Sequence, residues 1–238
     1  MRTIMGRGRI AVALLAGAIV LAGLSGCSFD FPGSAPPPRL YVLTPKSTFP
    51  KDVPNVNWQL LIEIPHSPAG INTQRIVLRD SPIELKYFDR SNWTDLAPKM
   101  VQALMVESFE NSGKILAVGR ESVGLRADYV LKTELREFQA EYVSEMSLLG
   151  TGVDIDAAPP QIRVRMNVKL VKLPQRSIVA SHTFESVKTA HMNSMESIMG
   201  AFDEALGKTL KGVVVWSLRK GEEAEVKRKD NRNGRGRR

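Results

Sequence analysis

The chain has 238 residues and a formal net charge of +8, but the excess charge lies at its two ends. Residues 1–26 carry +3 and residues 219–238 carry +5, whereas residues 27–218 contain 21 basic and 21 acidic side chains. A neutral body lacks the basic folded face that nucleic-acid binding requires. The single cysteine, Cys27, excludes intramolecular disulfides and metal sites built from several thiolates.

The first 26 residues have the layout of a secretory signal. Three arginines precede an apolar run of 15 residues, and the small residues Ser25 and Gly26 follow it. The run is shorter than the roughly 20 residues that a membrane-spanning helix needs, so a cleaved signal is favoured over a transmembrane anchor. The tetrapeptide Leu24-Ser25-Gly26-Cys27 resembles a bacterial lipobox. It predicts cleavage between Gly26 and Cys27 and a diacylglyceryl group on the Cys27 thiol.

The predicted lipid would hold the mature protein on a membrane. Each buried methylene contributes about 0.8 kcal/mol, and two or more acyl chains anchor a protein stably. In the usual enterobacterial sorting rule, an Asp directly after the cysteine favours retention in the inner membrane, and in this chain that residue is Ser28. It therefore favours the periplasmic face of the outer membrane, with the inner membrane as the alternative. Residues 27–38 are predicted to form the acylated cysteine and a Pro-rich tether. No cofactor is expected besides the covalent lipid.

Short strands and one helix are predicted in the first half of the chain. Thr94 is the predicted N-cap of the helix, and Gly113 is predicted to end it. The strands are expected at residues 39–43, 58–64, 76–79, 83–87 and 115–118, and the helix at residues 95–112.

Three longer segments alternate between apolar and polar residues and predict an antiparallel meander. They cover residues 129–142, 161–173 and 177–187. A change of parity near Arg136–Glu137 predicts a β-bulge. On the third segment, alternation places Ile178 on the same face as Phe184.

A second helix is predicted from Ser194 to about Leu218, with Asn193 as its cap and Glu196 completing a capping box. Residues 219–238 are rich in charge and are predicted to be disordered. The domain is thus expected at residues 39–218. Its predicted class is α+β, a mixed and largely antiparallel sheet with two main helices packed on one face.

The sequence contains little that indicates catalysis or metal binding. His66, His182 and His191 lack metal-ligand spacing, and Asp154 with Asp156 fall short of a calcium loop. We therefore expect no metal site and no enzymatic activity. The loop between the first two long strands carries Met146, Leu148 and Leu149. These residues either contact a partner or lipid or fold back on the core.

Several short motifs occur in an order that resembles one known family, the ABC-type transport auxiliary lipoproteins, which include the lipoprotein of the paraquat-inducible operon. The resemblance covers about residues 39–215. The motifs are Tyr41-Val42-Leu43, Ile62-Glu63-Ile64-Pro65, Gln74-Arg75-Ile76-Val77, Tyr87 and Asn92-Trp93-Thr94-Asp95-Leu96. The chain departs from the family pattern in its long basic tail and Pro-rich start.

The resemblance implies a non-enzymatic periplasmic lipoprotein on the outer-membrane side of an MCE-type lipid transport system. Its implied partners are an MCE-domain protein and the permease and ATPase of an ABC transporter, and it implies a possible homo-oligomer. It implies no contact with nucleic acid. The alternative is a structural or assembly lipoprotein that braces envelope complexes without lipid transport.

Overall fold

The computed structural model describes residues 36–120, 126–142 and 158–235. The strands and helices in these ranges belong to one compact unit, Pro38–Arg238. They are β1 (Arg39–Tyr41), β2 (Val56–Ile62), β3 (Arg75–Ser81), β4 (Glu84–Trp93), α1 (Ala97–Ser112), β5 (Ile115–Arg120), β6 (Tyr129–Glu141), β7 (Gln161–Lys172), β8 (Ser177–Thr189) and α2 (Met195–Arg235).

Strand β6 is the centre of an 8-stranded mixed sheet. Along one edge, its first half pairs with β2 and its second half with β3, both in parallel. Along the other edge it pairs with β7 over its full length, and β7 pairs with β8, both antiparallel. β5 extends the sheet beyond β2, and β4 and β1 extend it beyond β3. The predicted α+β class and the predicted meander are confirmed.

The bulge expected in β6 is also confirmed. The register of β6 on β7 shifts between Leu135 and Glu137. Leu135 and Phe138 are both buried in the main core, although they are three positions apart and would point to opposite faces of a regular strand. The extra residue keeps apolar side chains on the same face on both sides of the bulge.

The two helices cover one face of the sheet and enclose the main core. At its centre the rings of Trp93, Phe138 and Phe202 are mutually packed, with centroids 5.2–5.4 Å apart. All three side chains are buried. Helix α2 supplies Phe202 and further buried aliphatic residues, so it packs across β7 and β8. No helix among the described residues covers the opposite face of the sheet, which we call the outer face.

The start of α1 and the capping residue of α2 differ from the prediction, whereas the start of α2 at Met195 agrees with it. Helix α1 begins at Ala97 after Leu96, without a side-chain cap, and Thr94 donates its backbone N–H to Tyr41. Pro98 in the first turn lowers the need for a cap because it has no N–H to satisfy. At α2, Ser194 Oγ accepts from Ser197 N at 3.3 Å. The predicted cap was Asn193, but its Oδ1 accepts from the Tyr142 hydroxyl at 2.8 Å. The predicted stop of α1 agrees with the structure: Gly113 has φ +60.

The face assigned to Ile178 was wrong. A register shift on β8 leaves Leu170 opposite Ala180 but Val171 opposite Ile178. Phe184 faces the helices and partly packs on the core, whereas Ile178 lies on the outer face and is 61% exposed. Simple alternation along β8 cannot give this result, because the shift in register lies between Ile178 and Ala180.

The prediction of a disordered tail was wrong through Arg235, because α2 continues without interruption to that residue. Residues beyond Leu218 are held by the body of the domain. Gly221 packs against the buried Trp58 ring, and Trp58 in turn packs on Tyr129 with centroids 4.8 Å apart. Arg219 pairs with Asp52. Residues 236–238 lie outside the described residues.

Glu225 is the main polar anchor of this helical extension. It accepts hydrogen bonds from the Tyr129 hydroxyl at 2.8 Å and from Lys172 Nζ, and it pairs with Arg228. Burial acts to raise the pKa of Glu225, but the hydrogen bonds from Lys172 and Tyr129 outweigh it. The pKa therefore lies below its ordinary value of 4.5.

Replacing Gly221 by Ala should destabilise the protein by about 1–3 kcal/mol, because the added methyl group overlaps the Trp58 ring. The matched control is Gly200→Ala on the same helix, where a methyl group meets nothing within 4 Å. That change should stabilise the protein by about 0.5–1 kcal/mol through helix propensity. Urea denaturation measures the free energy of unfolding of both variants. A Gly221→Ala protein as stable as Gly200→Ala would show that the extension does not pack on Trp58.

Glu225→Gln should lower stability near neutral pH and lose its effect in acid. A carboxyl with a lowered folded-state pKa stabilises the fold fully above its unfolded pKa, and this stabilisation is lost as the pH falls through the folded-state pKa. The difference in unfolding free energy between wild type and variant should therefore be constant well above pH 4.5 and shrink as the pH falls below that value. Glu223→Gln is the control, because Glu223 pairs with Lys220 where both side chains are exposed, and such a pair contributes little to stability at any pH. A difference that is constant with pH would contradict this assignment.

Candidate functional site

The outer face of the sheet divides into an ionic half and an apolar half. In the ionic half, Glu141 is buried and accepts hydrogen bonds from Gln139 Nε2 at 2.9 Å and Arg163 Nε at 3.0 Å. Arg79 lies 3.7 Å from the same carboxylate, and Arg163 also pairs with Glu185. Burial acts to lower the pKa of Arg163, but its bonds to the two carboxylates outweigh this effect and raise it. These charges neutralise one another, so this half has a structural role.

The apolar half is a row of aliphatic side chains across four strands. The register places Leu61 of β2 beside Val130 of β6, Val130 opposite Val171 of β7, and Val171 opposite Ile178 of β8. Leu61, Val130 and Val171 are buried, yet they are not part of the main core between sheet and helices. With neighbouring strands about 4.8 Å apart, the row is about 14 Å long.

Cationic side chains border this apolar row. Lys132 and Lys169 lie directly opposite each other in the next row of the β6–β7 ladder, and Glu63 pairs with Lys132. Arg176 and Leu173, from the turn between β7 and β8, line the other side. Together these residues and the apolar row enclose a groove of ≈ 390 Å³, which we call the outer groove.

The charges of the outer groove are only partly compensated. Three cations and one carboxylate line it. Lys169 Nζ donates to the neutral Asn167 at 2.9 Å, and within the described ranges neither Lys169 nor Arg176 has an ion-pair partner. The charge of Lys169 also reaches Glu134, but Arg136 holds that carboxylate in a hydrogen bond. Like charges facing each other across a ladder are unfavourable, so this arrangement favours an added anion.

The structure does not test the site residues predicted from the sequence. Gly26, Cys27, Met146, Leu148 and Leu149 lie outside the residues that the structure describes, and their roles stay predictions.

The histidines do not form a site. His182 packs edge-on against Phe184 with ring centroids 4.6 Å apart. In the described part of the chain, no three His, Cys, Asp or Glu side chains could hold a metal ion together. Among the same residues, no helix is both long and apolar enough to cross a membrane.

Sequence reasoning missed the outer groove. In the sequence, Val130 and Val171 are apolar residues at positions that alternation does not assign to the core-facing side of their strands. This signal alone could not show that they adjoin Leu61, since the neighbours of a strand depend on the sheet register. The facing pair of Lys132 and Lys169 was hidden for the same reason.

Comparison with known proteins assigns this fold to a family. The model of the ABC-type transport auxiliary lipoprotein component matches residues 41–214, which include all but the end of the folded unit. The chain belongs to this family. The helical extension after residue 214, with its contacts to Trp58 and Tyr129, lies outside the match.

Individual relatives of this auxiliary lipoprotein agree with the assignment. A crystal structure of a Xanthomonas campestris protein is 29% identical, with TM-score 0.70, and the alignment covers 79% of this chain and 98% of that one. A second crystal structure shares the fold alone, with 10% identity, TM-score 0.56 and coverage of 75% and 97%. An uncharacterized protein of Bradyrhizobium diazoefficiens is 26% identical over 204 residues, 84% of this chain and 49% of that protein. The auxiliary lipoprotein thus spans about half the length of this relative.

Arg163→Ala should destabilise the auxiliary lipoprotein by about 1–3 kcal/mol, because it removes a charged donor from the buried Glu141 carboxylate. The control is Arg136→Ala, which breaks a pair with Glu134 whose two side chains are 40% and 42% exposed. That change should cost less than about 1 kcal/mol. Denaturant unfolding measures the free energy of unfolding of both variants. Equal decreases in this free energy would contradict the structural role of the ionic half.

Proposed function

We propose that the protein is a non-enzymatic periplasmic component of an MCE-type ABC lipid transport system. In this proposal a diacylglyceryl group on Cys27 anchors it to the periplasmic face of the outer membrane. The folded domain docks the MCE-domain protein and thereby connects the transporter to the envelope. The observation that carries the proposal is the family match over residues 41–214.

The architecture of the domain supports a docking role. The charged side chains of Glu141, Arg163 and Glu225 are engaged in pairs that hold strands and helix together. Among the described residues no helix covers the outer face, so this face is available for contact with a partner protein. Anchoring through lipid rather than through a membrane-spanning helix agrees with the lipobox at Leu24–Cys27.

Isolation of the tagged full chain from bacterial membranes in mild detergent tests the proposal. We expect the MCE-domain protein and the ABC permease or ATPase to be recovered with it, as identified by mass spectrometry. The Cys27→Ala variant should lose the mass of the diacylglyceryl group. Because cleavage of a lipoprotein signal follows acylation, this variant should retain residues 1–26. When the same variant is exported with a cleavable signal that needs no cysteine, it should leave the membrane fraction, because no acyl chain remains to be buried.

The same variant separates docking from anchoring. If the folded domain makes the contact, purified Cys27→Ala protein should still bind the MCE-domain protein in solution. Recovery of neither MCE nor ABC components with the wild type would overturn the proposal. Recovery of envelope scaffold proteins in their place would support the bracing role instead.

A further inference from the structure

We propose that the outer groove binds one acyl chain of a membrane phospholipid with an acidic headgroup. Leu61, Val130, Val171 and Ile178 would contact the chain, and Lys169 and Arg176 would hold the headgroup. The choice of a lipid as the ligand rests on the proposed transport function. The location and charge preference of the site rest on the geometry of the groove itself.

The floor of the outer groove suits a hydrocarbon chain. It is a continuous row of aliphatic side chains about 14 Å long, given four strands about 4.8 Å apart. The backbone N–H and C=O groups beneath it are used in the sheet ladders. A peptide lying across this face would find no partners for its own backbone groups, which are costly to leave unpaired. An acyl chain has no such groups.

The border of the outer groove specifies the headgroup charge. Lys132 is already paired with Glu63, which leaves Lys169 and Arg176 as cations without an acidic partner among the described residues. They lie in the lining of the same apolar space. Phosphate oxygens accept strong hydrogen bonds from both guanidinium and ammonium groups. An acidic phospholipid therefore matches both parts of the site, because its net negative charge compensates these cations. A zwitterionic phospholipid also has a phosphate, but its own ammonium group competes with Lys169 and Arg176 for that phosphate.

The size of the outer groove agrees with a small-molecule site. Its volume of ≈ 390 Å³ lies in the range of about 300–1,000 Å³ that is common for ligand pockets. The exposure of Ile178 also favours binding of a ligand in the outer groove. Ile178 is 61% exposed at one end of the row, so the chain of a bound lipid would bury an aliphatic side chain that otherwise faces water.

The test uses photolabelling of the full chain in phosphatidylcholine nanodiscs. One sample contains a trace of phosphatidylglycerol with a diazirine in its acyl chain, and a second contains the matching diazirine phosphatidylcholine. After irradiation, labelled peptides are mapped by mass spectrometry. We expect phosphatidylglycerol to label peptides that contain Val130, Val171 or Ile178, and to label them about tenfold more than phosphatidylcholine does.

Two variants test the headgroup contacts and the floor. Lys169→Gln with Arg176→Asn removes both charges, and Asn tolerates the left-handed φ 56 of Arg176. We expect labelling by phosphatidylglycerol to fall about tenfold. Ile178→Glu at the exposed end of the row should also reduce it. The matched control is Lys208→Gln with Lys211→Gln, which removes two charges from α2 and should leave the labelling unchanged.

Each outcome supports or overturns the inference. Equal labelling by the two lipids, or labelling that survives the Lys169 and Arg176 changes, would overturn the acidic headgroup. Absence of label from the groove peptides, with label present near the membrane anchor, would overturn the lipid site. A labelled groove without recovery of MCE or ABC components would retain the site while the proposed function fails, so the two failures are distinguishable.

Discussion

The structure depends on strand β6 being paired along both of its edges. Its two halves take different neighbours on one side, β2 and β3, while β7 follows it along the whole of the other. This arrangement fixes the register of the sheet on both faces. The bulge after Leu135 then keeps the apolar side chains directed at the helices despite an extra residue. A slip of one residue would exchange the core row for the outer row.

Helix α2 completes the domain by covering the inner face of this sheet. Its middle part places Phe202 against Trp93 and Phe138. Its last part crosses the end of the sheet, where Gly221 allows the helix backbone to approach the Trp58 ring. A glycine there has a clear use, because any side chain would hold the helix away. The extension is thus part of the fold, although the family match ends at residue 214.

Much of the fold could be predicted from the sequence because alternation and helical periodicity are local signals. The long strands, the bulge of β6 and the end of α1 at Gly113 follow from such signals. The tail could not be predicted from composition, since its order depends on contacts that Glu225 and Gly221 make with Tyr129 and Trp58. These partners are distant in sequence.

The candidate site was less predictable than the fold. It is formed by the register of four strands, and the sequence gives no direct information about which residues become neighbours across β2, β6, β7 and β8. Lys132 and Lys169 look like ordinary solvent-facing residues until the ladder places them opposite each other. The predicted lipobox differs in this respect, because Leu24–Cys27 is a contiguous stretch whose resemblance to the motif can be seen without knowledge of the fold.

The family assignment supports the proposed account, in which a lipid-anchored domain binds a transporter component in the envelope. Cross-linking of intact bacterial envelopes with a lysine-reactive reagent, followed by mass spectrometry, tests this most directly. The account predicts cross-links from lysines of the folded unit, Pro38–Arg238, to an MCE-domain protein or to the ABC permease. Cross-links to structural envelope proteins alone, with the transporter present in the same sample, would contradict it.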